Sequence, residues 1–208
     1  MKKIIAIALA LVMALSLIAC GNEASNNDQG VKTIEAGKLI MSTNAAFPPY
    51  EFVDDNGEFA GIDVEIAGLI AEKLGKELVI KDVEFGSIIG GVQSGKFDMG
   101  MAGMTVTEDR LKNINFSESY ATGIQSVIVP EGSKITSVDD LYAEDAKYLV
   151  GTQKGTTGDI YAEGDFGAER VMKYASGNEA VQALVTGKVD CVIIDNEPAK
   201  AYVAENNK

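Results

Sequence analysis

The sequence contains no histidine. Imidazole is the side chain that ordinarily titrates near neutral pH and the commonest nitrogen ligand for zinc. Its absence excludes His-based nucleophilic or acid–base catalysis and the usual His-rich zinc site. Cysteine is nearly as scarce: Cys20 and Cys191 are the only two. They supply no disulfide framework if Cys20 is used otherwise. Cys191 sits in the apolar run 189–194 and reads as a small buried core residue. Positive charge is also short, with 18 Lys and Arg against 31 Asp and Glu, a formal net charge of −13. Such a surface repels nucleic acid and anionic lipid headgroups, so no nucleic-acid partner is expected. What remains is ordinary for a globular chain: 46% hydrophobic and 24% charged residues among 208, enough for one large domain or two small lobes.

The chain opens on a basic Met1-Lys2-Lys3 and an apolar run from residue 4 to residue 18. That run is short of the roughly 20 residues a membrane span needs and suits the core of a signal peptide. It ends in Leu17-Ile18-Ala19-Cys20-Gly21, which resembles the bacterial lipoprotein box. The resemblance implies that residues 1–19 are removed and that the Cys20 thiol carries a diacylglyceryl group, two acyl chains being enough for stable anchoring. Removing residues 1–19 takes away Lys2 and Lys3 and no acid, which leaves −15. Residues 22–30 are polar without apolar periodicity, so residues 20–32 read as a lipid-anchored flexible tether. The expected location is the outer face of the cytoplasmic membrane, in a periplasm or at a cell surface.

From residue 38 onward short β-type runs alternate with helical ones. Strands are expected at 39–42, 78–83, 97–101, 124–129, 148–151, 170–174 and 189–194. Ile62, Ile66, Ile70 and Leu74 recur every four residues and mark one face of a helix that Gly75 ends. Further helices are expected at 87–94, from Ser137, at 156–163, at 178–186 with Asn178 as N-cap, and around Pro198. Thr105-Val106-Thr107-Glu108 fits a capping box. The alternation predicts an α/β fold with mostly parallel sheets. Ser94-Gly95-Lys96-Phe97-Asp98 is echoed by Thr186-Gly187-Lys188-Val189-Asp190, each followed by an apolar strand. One equivalent unit in each of two lobes accounts for the echo. Ligands of open α/β sheets bind beyond strand carboxyl ends, so Gly103–Thr105 and Asp195 are expected to face one cleft.

Several residues have chemistry suited to a zwitterion. Arg110 presents a rigid fork for a carboxylate, and backbone N–H groups near Thr105 suit the same anion. Gly155-Thr156-Thr157 offers N–H and hydroxyl donors at a helix start, Asp195 can pair with an ammonium group, and Phe47 and Phe85 lie on loops after strands. Each alone is ordinary: a surface charge, a cap, a packing aromatic. Their order is more specific. Asn44-Ala45-Ala46-Phe47-Pro48-Pro49-Tyr50-Glu51-Phe52, Gly61-Ile62-Asp63-Val64-Glu65-Ile66-Ala67, Ala102-Gly103-Met104-Thr105-Val106-Thr107 with Arg110, Gln153-Lys154-Gly155-Thr156-Thr157 and Gly187-Lys188-Val189-Asp190 with Asp195 occur in sequence. Over residues 33–205 the chain resembles the polar-amino-acid solute-binding proteins of ABC importers, family 3.

The resemblance implies a type II periplasmic-binding-protein fold, two α/β lobes around a ligand cleft. Lobe 1 is assigned to residues 33–128 and lobe 2 to residues 129–208, with a crossover near 127–131. It implies extracytoplasmic capture of a polar amino acid and delivery to an ABC permease, by a monomer without catalysis, cofactor or metal. Arg110 clamps the α-carboxylate with Thr105 and Thr157; the Gly103 carbonyl and Asp195 hold the α-ammonium; Phe47 and Phe85 stack on the side chain. Phe85 stands where similar proteins often carry Trp, implying a smaller stack. Asn44 stands where cation-binding members often carry an acid, which weighs against lysine or arginine, with Glu51 close by. Similar proteins continue for some tens of residues beyond Lys208, so the C-terminal part of lobe 2 is expected to be missing. Two alternatives share the scaffold: a sensory module presenting ligand to a receptor, and a dehydratase using Glu51 or Glu84 as its acid.

Overall fold

A computed structural model describes residues 30–207. The signal-peptide and Cys20 assignments lie outside the described residues. The chain divides into two compact units, Met1–Lys32 and Thr33–Lys208. Of the first, residues 30–32 are exposed and irregular. The second holds all regular elements described below.

The first sheet is parallel throughout. β1 (Lys38–Thr43) lies between β5 (Glu77–Asp82) and β6 (Met99–Gly100). β1 is buried on both faces, as a central parallel strand must be, and reads as a near-continuous buried run. α1 (Ile62–Lys73) covers it chiefly through Ala67 and Ala71, with Ile66 the one member of the isoleucine spacing that packs on the same cluster. Ala67 and Ala71 are buried, whereas Ile62 is 42% and Ile70 37% exposed. Small side chains at i and i+4 let the helix axis approach the sheet, and Ala67 packs in one cluster with Met41 and Met101. β6 is also shorter than residues 97–101: only Met99 and Gly100 pair with β1.

Between β1 and α1 the chain forms a small antiparallel sheet, β2 (Ala46–Phe47), β3 (Glu51–Val53) and β4 (Phe59–Ala60), that the sequence pattern does not announce. Its strands of two or three residues are too short for periodicity to register. Gly61 then joins β4 to α1 at φ 115°, and a Cβ there would lie 2.7 Å from the Tyr50 carbonyl carbon and 2.8 Å from the Pro49 oxygen. Both obstacles are backbone, so they cannot swing away. Gly61→Ala is expected to cost about 2–4 kcal/mol from strain and overpacking together, read as a fall in urea midpoint without a change of slope.

The second sheet runs β7 (Gln125–Ile128), β10 (Cys191–Asp195), β8 (Val150–Gln153), β9 (Val171–Tyr174) in space. β10, β8 and β9 are parallel and β7 is antiparallel to β10. The residue 128/129 boundary would group β7 with the first sheet. Its ladder to β10 sets it in the second, and the connection between sheets runs through the irregular residues 112–124. α2 (Ile88–Gln93) and α3 (Glu108–Leu111) belong to the first half. α4 (Asp139–Tyr142), α5 (Thr157–Phe166), α6 (Gly177–Val185) and α7 (Asn196–Asn206) belong to the second. Cys191 is fully buried beside Leu141 and Val150, and burial pushes its thiol up to about 12.

The two echoed segments have the same hydrogen bonding. α2 and α6 both end in a left-handed glycine, Gly95 at φ 72° and Gly187 at φ 71°. Lys96 N–H reaches Gly91 O at 2.9 Å and Lys188 N–H reaches Ala183 O at 2.8 Å, the six-to-one bond of a Schellman motif. The Asp98 carboxylate then accepts from Ile40 N at 2.8 Å, and that of Asp190 from Leu149 N at 2.7 Å. Two N-caps fall elsewhere than the sequence spacing places them. Thr107, not Thr105, caps α3 by accepting from Arg110 N, and Ser176, not Asn178, caps α6. Ser176 prevails because Glu179, three residues on, bonds back to Ala175 N at 3.0 Å.

Candidate functional site

The strand ends of both sheets converge. Asn44 follows β1, Phe85 follows β5, Gly103 and Thr105 follow β6, Thr157 follows β8, and Asp195 ends β10. Together with Phe47 on β2 and Arg110 on α3, all eight predicted ligand residues line one cleft. Glu84, one of the two candidate acids, is exposed and does not line it; Glu51, the other, does.

Arg110 is 7% exposed, and its guanidinium spans the cleft. Nη1 donates to Thr105 O at 2.7 Å on the first-sheet side and Nη2 to Gly155 O at 3.0 Å on the second-sheet side. Its Cζ lies 5.3 Å from the Phe85 ring centroid, so Phe85 supplies a π-face to a cation as well as apolar area. Among the described residues Arg110 forms no ion pair. Burial draws its pKa down from the ordinary value, and Tyr161 and Asp195 act the other way. Thr105 is exposed and stands two residues before the cap of α3, so it is not at a helix start; its carbonyl, rather than its amide, is engaged.

The Gly155-Thr156-Thr157 turn is fixed from below. The Asp159 carboxylate, 3% exposed, accepts from Gly155 N at 2.8 Å, and Thr156 Oγ1 accepts from Asp159 N at 3.3 Å. This reciprocal pair aims the first turn of α5 into the cleft, where its N–H groups carry positive partial charge. Asp195 is half-buried and accepts a short hydrogen bond from Gln125 Nε2, which also contacts Thr157 Oγ1 at 3.3 Å. Burial raises the Asp195 pKa; Gln125 and Arg110 oppose the rise.

Asn44 is held rather than free. Its Nδ2 donates to Val83 O at 2.9 Å, and its Oδ1 accepts from Gln153 Nε2 at 2.8 Å. The second bond joins the carboxyl end of β1 to the carboxyl end of β8 across the cleft. Phe47 is 7% exposed, stacks on Tyr50 with ring centroids 6.1 Å apart, and packs in a cluster with Val181 and Tyr202. Gly103, at φ 54°, donates its N–H to Asp63 Oδ2 at 2.8 Å.

Three contributors are missing from the sequence-level site: Gln125, Gln153 and Asp63. Asp63 and Gln153 stand inside quoted motifs, but their roles need the fold. Both act through a hydrogen bond to a residue 40 or 109 positions away.

A family model, Bacterial extracellular solute-binding proteins, family 3, matches residues 39–166. The arginine-binding extracellular protein ArtP of Bacillus subtilis is 30% identical over 208 residues, covering 100% of this chain and 78% of that protein. A probable histidine-binding protein of Neisseria gonorrhoeae is 32% identical, covering 99% of this chain and 76% of its own. Among solved structures, an ancestral arginine-binding protein bound to glutamine superposes with a TM-score of 0.77 at 39% identity, covering 83% of this chain and 75% of that one.

Proposed function

The chain belongs to the bacterial extracellular solute-binding proteins, family 3, and on that premise we propose that it captures an amino acid outside the cytoplasm and delivers it to an ABC-type permease. The relatives named for arginine and histidine binding support an amino-acid ligand. In this reading residues 1–19 direct export, Cys20 carries the lipid, residues 20–32 form the tether, and the two sheets with their helices are the lobes of a monomeric binding protein.

One observation carries the proposal: a buried guanidinium without an ion pair among the described residues, on α3, and a half-buried carboxylate, at the end of β10, line the same cleft. An amino-acid backbone offers the complementary pair. Its α-carboxylate sits on Arg110 and the first turn of α5 at Thr157, and its α-ammonium on Asp195 and the Gly103 carbonyl. Thr105 flanks the carboxylate, and Phe47, Phe85 and Asn44 bound the side chain. Donors and acceptors come from both sheets, so the ligand binds best when the sheets are close. That differential affinity is what lets a ligand drive closure. No group in the cleft is called upon to make or break a covalent bond.

A panel of proteinogenic amino acids tested by thermal shift checks the proposal. The true ligand at a hundredfold excess over its Kd is expected to stabilise the protein by about 2.7 kcal/mol. Mass spectrometry of ligand released from protein purified without denaturation should return the same compound. No shift with any amino acid, and none released, rejects the proposal.

A further inference from the structure

We propose that Asp159 and Lys173 act as a pair behind the carboxylate end of the cleft: Asp159 is the positioning residue of the Gly155–Thr157 turn, and Lys173 offsets the negative charge that this positioning brings close to a bound carboxylate. Neither residue lines the cleft itself. The inference rests on the amino-acid reading above and deepens it, because it needs an anion at the first turn of α5.

The turn is built on one carboxylate. Asp159 Oδ2 accepts from Gly155 N at 2.8 Å and Oδ1 from Thr152 Oγ1 at 3.1 Å. Asp159 N donates to Thr156 Oγ1 at 3.3 Å, and that hydroxyl donates to Gln153 O at 2.8 Å. These bonds tie the carboxyl end of β8 to the start of α5. Gly155 also carries the carbonyl that accepts from Arg110 Nη2. The same carboxylate therefore fixes both groups offered to a ligand's α-carboxylate, the N–H groups of α5 and one arm of the guanidinium.

The placement carries an electrostatic penalty. A carboxylate in the first turn of α5 repels any anion brought to that turn and competes for the same positive partial charge. Asp159 is 3% exposed and Thr152 beside it is fully buried, so water screens little of the repulsion. The parallel ladder sets Lys173 of β9 opposite Thr152 of β8. Its Nζ lies 3.3 Å from Asp159 Oδ1 and 2.8 Å from Glu163 Oε2. The hydrogen bond to Glu163 is the largest cause that raises the Lys173 ammonium above its ordinary range, so it is charged at neutral pH. Glu163 stands six residues beyond Thr157, about 9 Å along the helix axis, and its own charge is remote from the turn. Asp159 supplies geometry; Lys173 removes the charge that comes with it.

Titration calorimetry with a panel of proteinogenic amino acids, then with the tightest of them on variants, tests the pair. Lys173→Met leaves Asp159 unopposed and is expected to weaken binding about 5–10-fold. Asp159→Asn/Lys173→Met removes both charges and keeps an amide oxygen to accept from Gly155 N; its affinity is expected to return to within about threefold of wild type. Glu163→Gln/Lys173→Met restores the same net charge away from the turn and is expected to stay weak. A merely structural role makes Asp159→Asn/Lys173→Met no better than Lys173→Met alone, and a general charge effect lets both double variants recover alike. Either result overturns the proposal, as does wild-type affinity in Lys173→Met. Lys173 and Glu163 are partly exposed, so the comparison of Lys173→Met with Glu163→Gln/Lys173→Met still decides if Asp159→Asn fails to fold. No binding by any amino acid in the wild type overturns the amino-acid reading and the pair with it; binding without these differences overturns the pair alone.

Discussion

Replacing Arg110 with alanine is expected to weaken amino-acid binding by about 2–5 kcal/mol. The guanidinium is 7% exposed, so a carboxylate brought to it leaves most of its hydration behind. Without the guanidinium that carboxylate is desolvated against the first turn of α5 alone, and a helix terminus contributes only about 0.3–1 kcal/mol in ordinary settings. The substitution also strips donors from Thr105 O and Gly155 O, which face the cleft from opposite sheets. Part of the effect therefore falls on the closed arrangement itself, and the melting temperature of the unliganded protein should drop too. Arg110→Lys separates the two contributions. A lysine keeps the charge but loses the fork that reaches two carbonyls at once, so it is expected to recover part of the affinity and little of the bridging. Titration calorimetry reads the loss directly; a change within the roughly 0.5 kcal/mol of an ordinary surface substitution rejects the role.

Six of the eight ligand candidates reach one cleft because each follows or ends a parallel strand, and parallel strands deliver their carboxyl ends to the same side; Phe47 on β2 and Arg110 on α3 arrive from the segments between strands. The Gly95 and Gly187 turns were legible for a similar reason: the Schellman geometry needs a left-handed residue, and glycine announces it locally. What stayed hidden depends on packing. The spacing of Ile62, Ile66 and Ile70 marks a helix, but which face is buried was decided by how closely Ala67 and Ala71 allow α1 onto β1. The β2–β3–β4 sheet hides because two- and three-residue strands carry no period. β7 reads as a strand, but only its antiparallel ladder to β10 tells which sheet owns it. The carboxyl of Asp63 is silent in sequence because acids are common in a chain with 31 of them; burial is what singles it out.

Asp63→Ala is expected to cost about 2–4 kcal/mol in stability. Asp63 has no exposed surface and sits in the first turn of α1, where a negative charge also complements the helix N-terminus. Its Oδ2 accepts from Gly103 N and its Oδ1 from Tyr120 Oη, both at 2.8 Å, and the Glu51 carboxyl bonds to it as well. Tyr120, 48% exposed as a residue, loses the acceptor of its hydroxyl as well. Gly103 N–H and the Glu51 acid are more deeply enclosed, and their lost partners carry the cost. Asp63→Asn should be milder, since an amide oxygen can still accept from Gly103 while its NH₂ turns toward the tyrosine oxygen, which also accepts. The loss should carry a pH signature. Glu51 is raised in the folded state, first by burial and then by the Asp63 charge and hydrogen bond, so between the ordinary carboxyl range and about 11 the native protein holds a proton that the unfolded chain has released, and stability falls as pH rises. Removing Asp63 removes the second and third causes of that rise, and the dependence should become shallower. Urea unfolding across pH measures both quantities together. A midpoint that does not move, or a pH slope that does not change, overturns the coupling between Asp63 and Glu51.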